Sequence, residues 1–198
     1  MVPWLGRKLL SFASVLVPAF VLVVWPFSFV GRGFRWLMCQ GVNGVIMPPA
    51  DAPDVARLLP DTNPGRDWHA TAAVWNQPTG ALVFKMDVDL HQSAYVPLAL
   101  FIALSVAGRV TLGRRYFPIR LQLLGIALLI ARSSLRYILI RRNADGLPHR
   151  APVDLLLQIA NLSLGAPLGM AYAFPLVLWL VLFRRAVTEM TKPQQCES

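Results

Sequence analysis

The chain has 198 residues, of which 56% are hydrophobic and 15% charged, with a mean hydropathy of +0.52. That balance excludes an ordinary soluble domain and points to a chain that avoids water over most of its length. The net charge of +9 does not mark a nucleic-acid binder, because the basic residues are scattered along the ends of apolar runs and form no stripe on a polar domain. Membrane lipids, whose anionic headgroups attract juxtamembrane arginines, are the expected partner, and no nucleic acid is expected.

Four apolar runs, Leu9 to Val30, Ala94 to Gly113, Ile119 to Ile140 and Ala160 to Phe183, each approach the about 20 residues a helix needs to cross a bilayer core. They predict an all-α membrane bundle of four transmembrane helices, with a small external α+β segment that contains a β-hairpin. The domain boundaries read as a signal-anchor helix over 1–30, an external segment over 31–93, a three-helix membrane region over 94–185 and a cytoplasmic tail over 186–198. The first run follows Arg7 and Lys8 but is too long for a signal-peptide core and meets no small-x-small cleavage pattern, so an uncleaved anchor is expected. Arg7 and Lys8, then Arg109, Arg114, Arg115 and Arg120, then Arg184, Arg185 and Lys192 all fall on one side of such a bundle, which predicts cytoplasmic termini. Arg141, Arg142 and Arg150 fall on the other side, against that rule.

In the external segment, Phe34, Leu37, Met38, Val42, Val45 and Ile46 recur at helical spacing behind Arg32 and Arg35, a pattern suited to a helix lying at the membrane interface. MPPADAPDVARLLPDTNPGRD follows, and its prolines and aspartates predict a surface connection with one helical turn over Asp54 to Leu59. WHATAAVWNQPTGALVFKMDVDLH then reads as two strands, Trp68 to Trp75 and Ala81 to Leu90, around a turn. Alternation puts Phe84, Met86, Val88 and Leu90 on one face and Lys85, Asp87, Asp89 and His91 on the other. Asp87, Asp89 and His91 are donor types that a divalent ion takes. Only Asp67 and His69 stand near enough in sequence to complete a shell, so the set reads as a solvated strand face, and no metal or other cofactor is expected. Ser93 is placed to cap the second apolar helix, and Pro97 lies in its first turn. The cysteines, Cys39 and Cys196, fall on opposite sides of the predicted membrane and cannot pair, and MCQGVNG offers Cys39 no base to act with as a nucleophile.

The third run carries Arg132 and Arg136, four residues apart on one face, where lipid would lie. DLLLQIANLS supplies a matching stripe, Asp154, Gln158 and Asn161, at i, i+4 and i+7. Three readings stand open: a structural polar clasp, an outward pocket for a peptide terminus, sugar or lipid head, or arginines that snorkel to the interface. No acidic residue sits at hydrocarbon depth in the four runs, which argues against a proton-coupled carrier, and no nucleotide-binding, zinc-protease or serine-nucleophile motif is present. No catalytic residue is assigned.

One apolar run, an external strand pair, MDVDLHQSAYVPLALFIALSVAG and then a basic turn with two further runs together resemble the bacterial integral membrane proteins associated with exosortases, in particular the exosortase H-associated group. The resemblance covers the whole chain in layout, and its specific part is the polar strand that runs into YVPLALFIAL. It implies a non-catalytic accessory subunit of an inner-membrane protein-sorting or envelope complex, with a membrane-protein partner that could be an exosortase. Exosortases carry a Cys, Arg and His set in their membrane helices; no cysteine lies in the predicted spans here, so no catalytic residue is carried over. The other reading of the arginines is a small membrane enzyme or carrier that binds a lipid-linked or peptide substrate at Arg132 and Arg136.

Overall fold

The computed structural model describes residues 3–45, 54–144 and 168–191. In chain order the elements are α1 (Pro3–Val24), α2 (Ser28–Val45), β1 (Asp54–Pro60), β2 (His69–Asn76), β3 (Leu82–Asp89), a π-helical turn (His91–Tyr95), α3 (Val96–Leu112), a 3-10 turn (Arg114–Tyr116), α4 (Ile119–Ala144), α5 (Leu168–Leu182) and α6 (Arg184–Thr191). They divide into two compact units. One takes α1, α3, α4 as far as Leu129, and the chain from Tyr172 onward; the other takes residues 26–95 and α4 from Ile130.

The four-span bundle expected from the apolar runs is not what the chain forms. Among the described residues, two stretches are long and apolar enough to cross a membrane, Gly6–Val24 and His91–Leu112. The third expected span is helical, but its unbroken stretch between Arg120 and Arg132 rises only about 16 Å at 1.5 Å per residue, half of a hydrocarbon core about 30 Å thick. Of the fourth, the described part is the helix Leu168–Leu182, in which the apolar stretch Ala173–Leu182 is shorter still. Arg132 and Arg136, expected to be tolerated within a full span, instead end the apolar part of α4. The expected tail from 186 is helical as far as Thr191.

In the first unit α1 packs chiefly on α3. Ala99, Ala103 and Ala107, four residues apart on α3, are fully buried, and small side chains at that spacing let helix backbones approach closely. At the other end of α3 an aromatic core closes the unit. Phe117 lies 4.8 Å from Phe183 and is stacked on Trp179 at 5.9 Å, while Phe101 lies 6.3 Å from Phe183. Gly108 makes that core possible, since a Cβ there would stand 2.1 Å from the Phe117 ring. On α1, by contrast, Leu10, Val17 and Leu22 are more than half exposed.

The second unit is a three-stranded antiparallel sheet, ordered β1-β2-β3, with α2 laid against one face. The two strands expected from alternation pair as β2 and β3, with Ala72 opposite Met86 and Ala70 opposite Val88. A bulge at Val74 and Trp75 shifts the register by one residue near the turn. The segment read as a helical turn, Asp54 to Leu59, is instead a strand: β1 pairs with β2 and sets Leu58 opposite Ala72. Its register supplies the reason. Val55 and Leu58 are buried in this pairing, and only the partner strand makes the extended form worthwhile. The core joins Met38, Cys39 and Val42 of α2 to Leu58, Ala70, Ala72, Val88, Leu90 and Ala94.

Candidate functional site

The residues with chemistry gather in the sheet unit, on the sheet face turned away from α2 and in the β1–β2 loop. Asp61 opens the β1–β2 loop with an Asx turn, its Oδ1 accepting from the Asn63 N–H at 3.0 Å. The Arg66 guanidinium then bridges two carboxylates, reaching Asp61 Oδ2 at 2.9 Å and Asp87 Oδ2 at 2.8 Å. His69 Nδ1 stands 3.7 Å from the other oxygen of Asp87. The hydrogen bond from Asn63 and the pair with Arg66 hold the Asp61 carboxyl below the usual carboxylate range, and Asp61 and Asp87 hold Arg66 firmly protonated.

Helix α2 is stapled to this loop from behind. Arg35 donates to the backbone carbonyls of Asp61 and Arg66, the latter at 3.0 Å, and Arg32 Nε lies 3.8 Å from Asp67 Oδ1. Farther along α2, the Asn43 carboxamide donates to the Leu58 carbonyl and accepts from the Leu58 N–H, both at 2.9 Å. It therefore occupies the backbone groups that β1 turns away from β2, as a neighbouring strand would.

The other edge of the sheet differs. β3 ends the strand order, and among the described residues no segment pairs with its outer side. At its start three consecutive apolar residues, Leu82, Val83 and Phe84, are exposed by 52%, 60% and 45%. An exposed hydrophobic edge strand is a template for another extended chain.

An aromatic cluster links the sheet unit to the start of the second candidate span. Trp68 lies 4.5 Å from Tyr95 and 4.8 Å from His91, edge-on to the latter, and Phe34 of α2 lies 5.3 Å from Tyr95. Gly31 permits this packing, because a Cβ there would stand 2.7 Å from Trp68 Nε1. Cys39 is buried beneath the sheet. That burial, opposed by the nearby Arg35, pushes its thiol up to about 11, so it is a core residue and no thiolate nucleophile.

Asp87 pairs with Arg66. Asp89 Oδ1 instead accepts from the backbone N–H groups of His91 and Gln92, at 2.9 and 3.2 Å, and His91 packs on Trp68. Three residues proposed as one face thus do three separate jobs, and among the described residues no three His, Cys, Asp or Glu converge. Asp89 also takes the capping role expected of Ser93, whose hydroxyl donates back to the Asp89 carbonyl at 2.6 Å, because the helical chain begins at His91 and not at Ala94. Of the polar clasp, Arg132 lies partly buried on α4 and Arg136 is on the same helix; the Arg136 side chain and Asp154, Gln158 and Asn161 lie outside the described residues.

Sequence reasoning missed Arg66, Asn43 and the open β3 edge. Arg66 and Asp87 are distant in sequence, and only strand register brings them together. Asn43 in a glycine-rich helix end gave no signal, although an asparagine four residues past a buried Cys39 on the same helix face was there to be read. No protein-family model, no curated protein and no solved structure matches this chain.

Proposed function

We propose that this protein is a membrane-anchored, non-catalytic accessory subunit whose sheet unit docks an extended segment of a partner protein along β3. The observation that carries the reading is the contrast between the two sheet edges among the described residues: Asn43 occupies the outward backbone groups of β1 at Leu58, while β3 offers an unpaired outer edge and an exposed Leu82–Val83–Phe84. Strand addition would take its affinity from the backbone groups of β3 and its selectivity from pockets for alternate side chains.

Charge supports the anchoring. Residues 26–95, between the two apolar stretches, carry five lysines and arginines against six aspartates, whereas the rest of the chain carries fourteen against four acidic residues. Lysines and arginines near span ends favour the cytoplasm, and Arg7 with Lys8 before the first stretch and Arg109, Arg114, Arg115 and Arg120 around the end of the second outnumber Arg32 and Arg35 on the inner flank, which supports carriage of the segment between them to the far side. The charged face supports a binding role over chemistry, since the Arg66 guanidinium engages both Asp61 and Asp87 in the folded unit. The resemblance to exosortase-associated proteins supports a partner in an envelope protein-sorting system of the bacterial inner membrane, and directs the first search to an exosortase-type enzyme.

The test is photo-crosslinking from position 83 of the full chain in intact membranes. A discrete partner band is expected, lost in a Phe84→Asp variant whose membrane level is unchanged. Capture that survives both Phe84→Asp and Val83→Lys would sink the proposal, as would cross-links to lipid alone.

A further inference from the structure

The outer face of α2 poses a problem that the sheet does not solve. The sequence predicts that Phe34, Met38 and Val42 lie on the membrane; the structure turns Met38 and Val42 onto the sheet, and Phe34 packs beside them. The opposite side of the helix ought then to be polar. Instead Phe29, Trp36 and Leu37 stand there, exposed by 70%, 64% and 50%.

None of the eighteen residues of α2 is acidic, and Arg32 shares the face of Phe29 and Trp36 at i+3 and i+7 spacing. The far side of the same unit is the reverse. The sheet face turned away from α2 carries Arg57, Lys85, Asp87 and His69, so the unit passes from charged strands through an alanine-rich core to an aromatic helix face. Three residues, Trp25, Pro26 and Phe27, join α2 to the apolar helix α1, and both aromatic rings are exposed.

We infer that the outer face of α2 is a lipid-binding surface, which lies in the headgroup region of the bilayer with Phe29, Trp36 and Leu37 in the acyl boundary and Arg32 on anionic headgroups. Trp and Phe prefer that boundary, and an arginine stem can lie along apolar surface while its head meets phosphate. Arg32 has Asp67 beside it at 3.8 Å, yet its side chain stays 64% exposed; a second copy presenting the same acid-free helix would bring it no further carboxylate, whereas an anionic lipid surface complements it. The inference rests on the anchoring proposed above. Within the unit it orders the layers from lipid outward as α2, sheet and charged face.

The experiment uses the full chain with Cys196→Ser, reconstituted in phosphatidylcholine vesicles containing phosphatidylglycerol. An environment-sensitive thiol dye is placed by Trp36→Cys, by Phe29→Cys or, on the charged sheet face, by Lys85→Cys; the buried Cys39 stays unlabelled in the folded protein. The expected result is a blue-shifted emission at positions 29 and 36, lost to a lipid carrying a nitroxide near its headgroup and spared by aqueous iodide, with the opposite pattern at position 85. Equal iodide quenching at all three positions overturns the inference. So does thiol-specific cross-linking of two copies through position 36, which would identify a dimer surface. Alkaline carbonate separates the two levels: a chain that leaves the membrane defeats the anchoring, while a chain that stays with position 36 open to iodide defeats only the lipid face.

Discussion

Asn43 holds Leu58 by both of its backbone groups, at 2.9 Å each, and so ends the sheet at β1. Among the described residues no comparable side-chain cap meets the outer edge of β3.

Asn43→Ala leaves a partly buried N–H and C=O on β1 without their partner, which is expected to cost about 1–3 kcal/mol. A lowered melting temperature in mild detergent checks this. The variant is also expected to self-associate, because a second edge becomes available for strand pairing, and size-exclusion chromatography would reveal it.

Gly31→Ala drives a methyl group to within 2.7 Å of the Trp68 indole. Overpacking of this kind is expected to cost about 1–3 kcal/mol and to disturb the ring contacts of Trp68 with Tyr95 and His91. Near-ultraviolet circular dichroism reads that change separately from the loss of stability. A Gly31→Ala chain that keeps both the wild-type spectrum and the wild-type melting point would contradict the packing described.

Stability of the sheet unit is expected to fall in acid. The Asp61 carboxyl is held below its ordinary value in the folded state, so the unfolded chain takes up its proton first. Its stabilising contribution is complete above the unfolded carboxyl value of about 3.9 and is lost as pH falls through the folded value. Arg66→Gln removes the guanidinium and should flatten that acid limb, which urea midpoints at a series of pH values would measure.

The Cys39 thiol should resist alkylation at pH 8 in the folded chain and react readily once denatured, given burial and a thiol held up at about 11. Cys39→Ser places a hydroxyl among Met38, Val42 and Leu58 and is expected to be the more damaging substitution beside Cys39→Ala, by about 1 kcal/mol or more.

What could be read in advance divides along physical lines. Strands β2 and β3 announced themselves because Met86, Val88 and Leu90 alternate with polar neighbours, a purely local pattern. β1 did not, since DVARLLP between prolines carries no such pattern and becomes a strand through its pairing with Ala72 and its bonds to Asn43. Spans were overcounted because Arg132 and Arg136 were taken as tolerable within a full span, whereas they bound the apolar part of α4. The amphipathic helix α2 was visible as a helix, but which face it buries depends on a sheet whose first strand was missing from the reading. Arg66, Asp61 and Asp87 form a cluster only through register, which no spacing along the chain reveals.

The packing of α1 against α3 reaches beyond the helices themselves. By pairing, they hold the two ends of the segment between them, so even when the sheet melts its roughly 70 residues remain a closed loop and not a free chain. In the chain-entropy treatment used for disulfides, closing a loop of that size disfavours the unfolded form by about 4 kcal/mol. A small sheet, a third of whose core residues are alanine, is thus cross-linked without a cysteine.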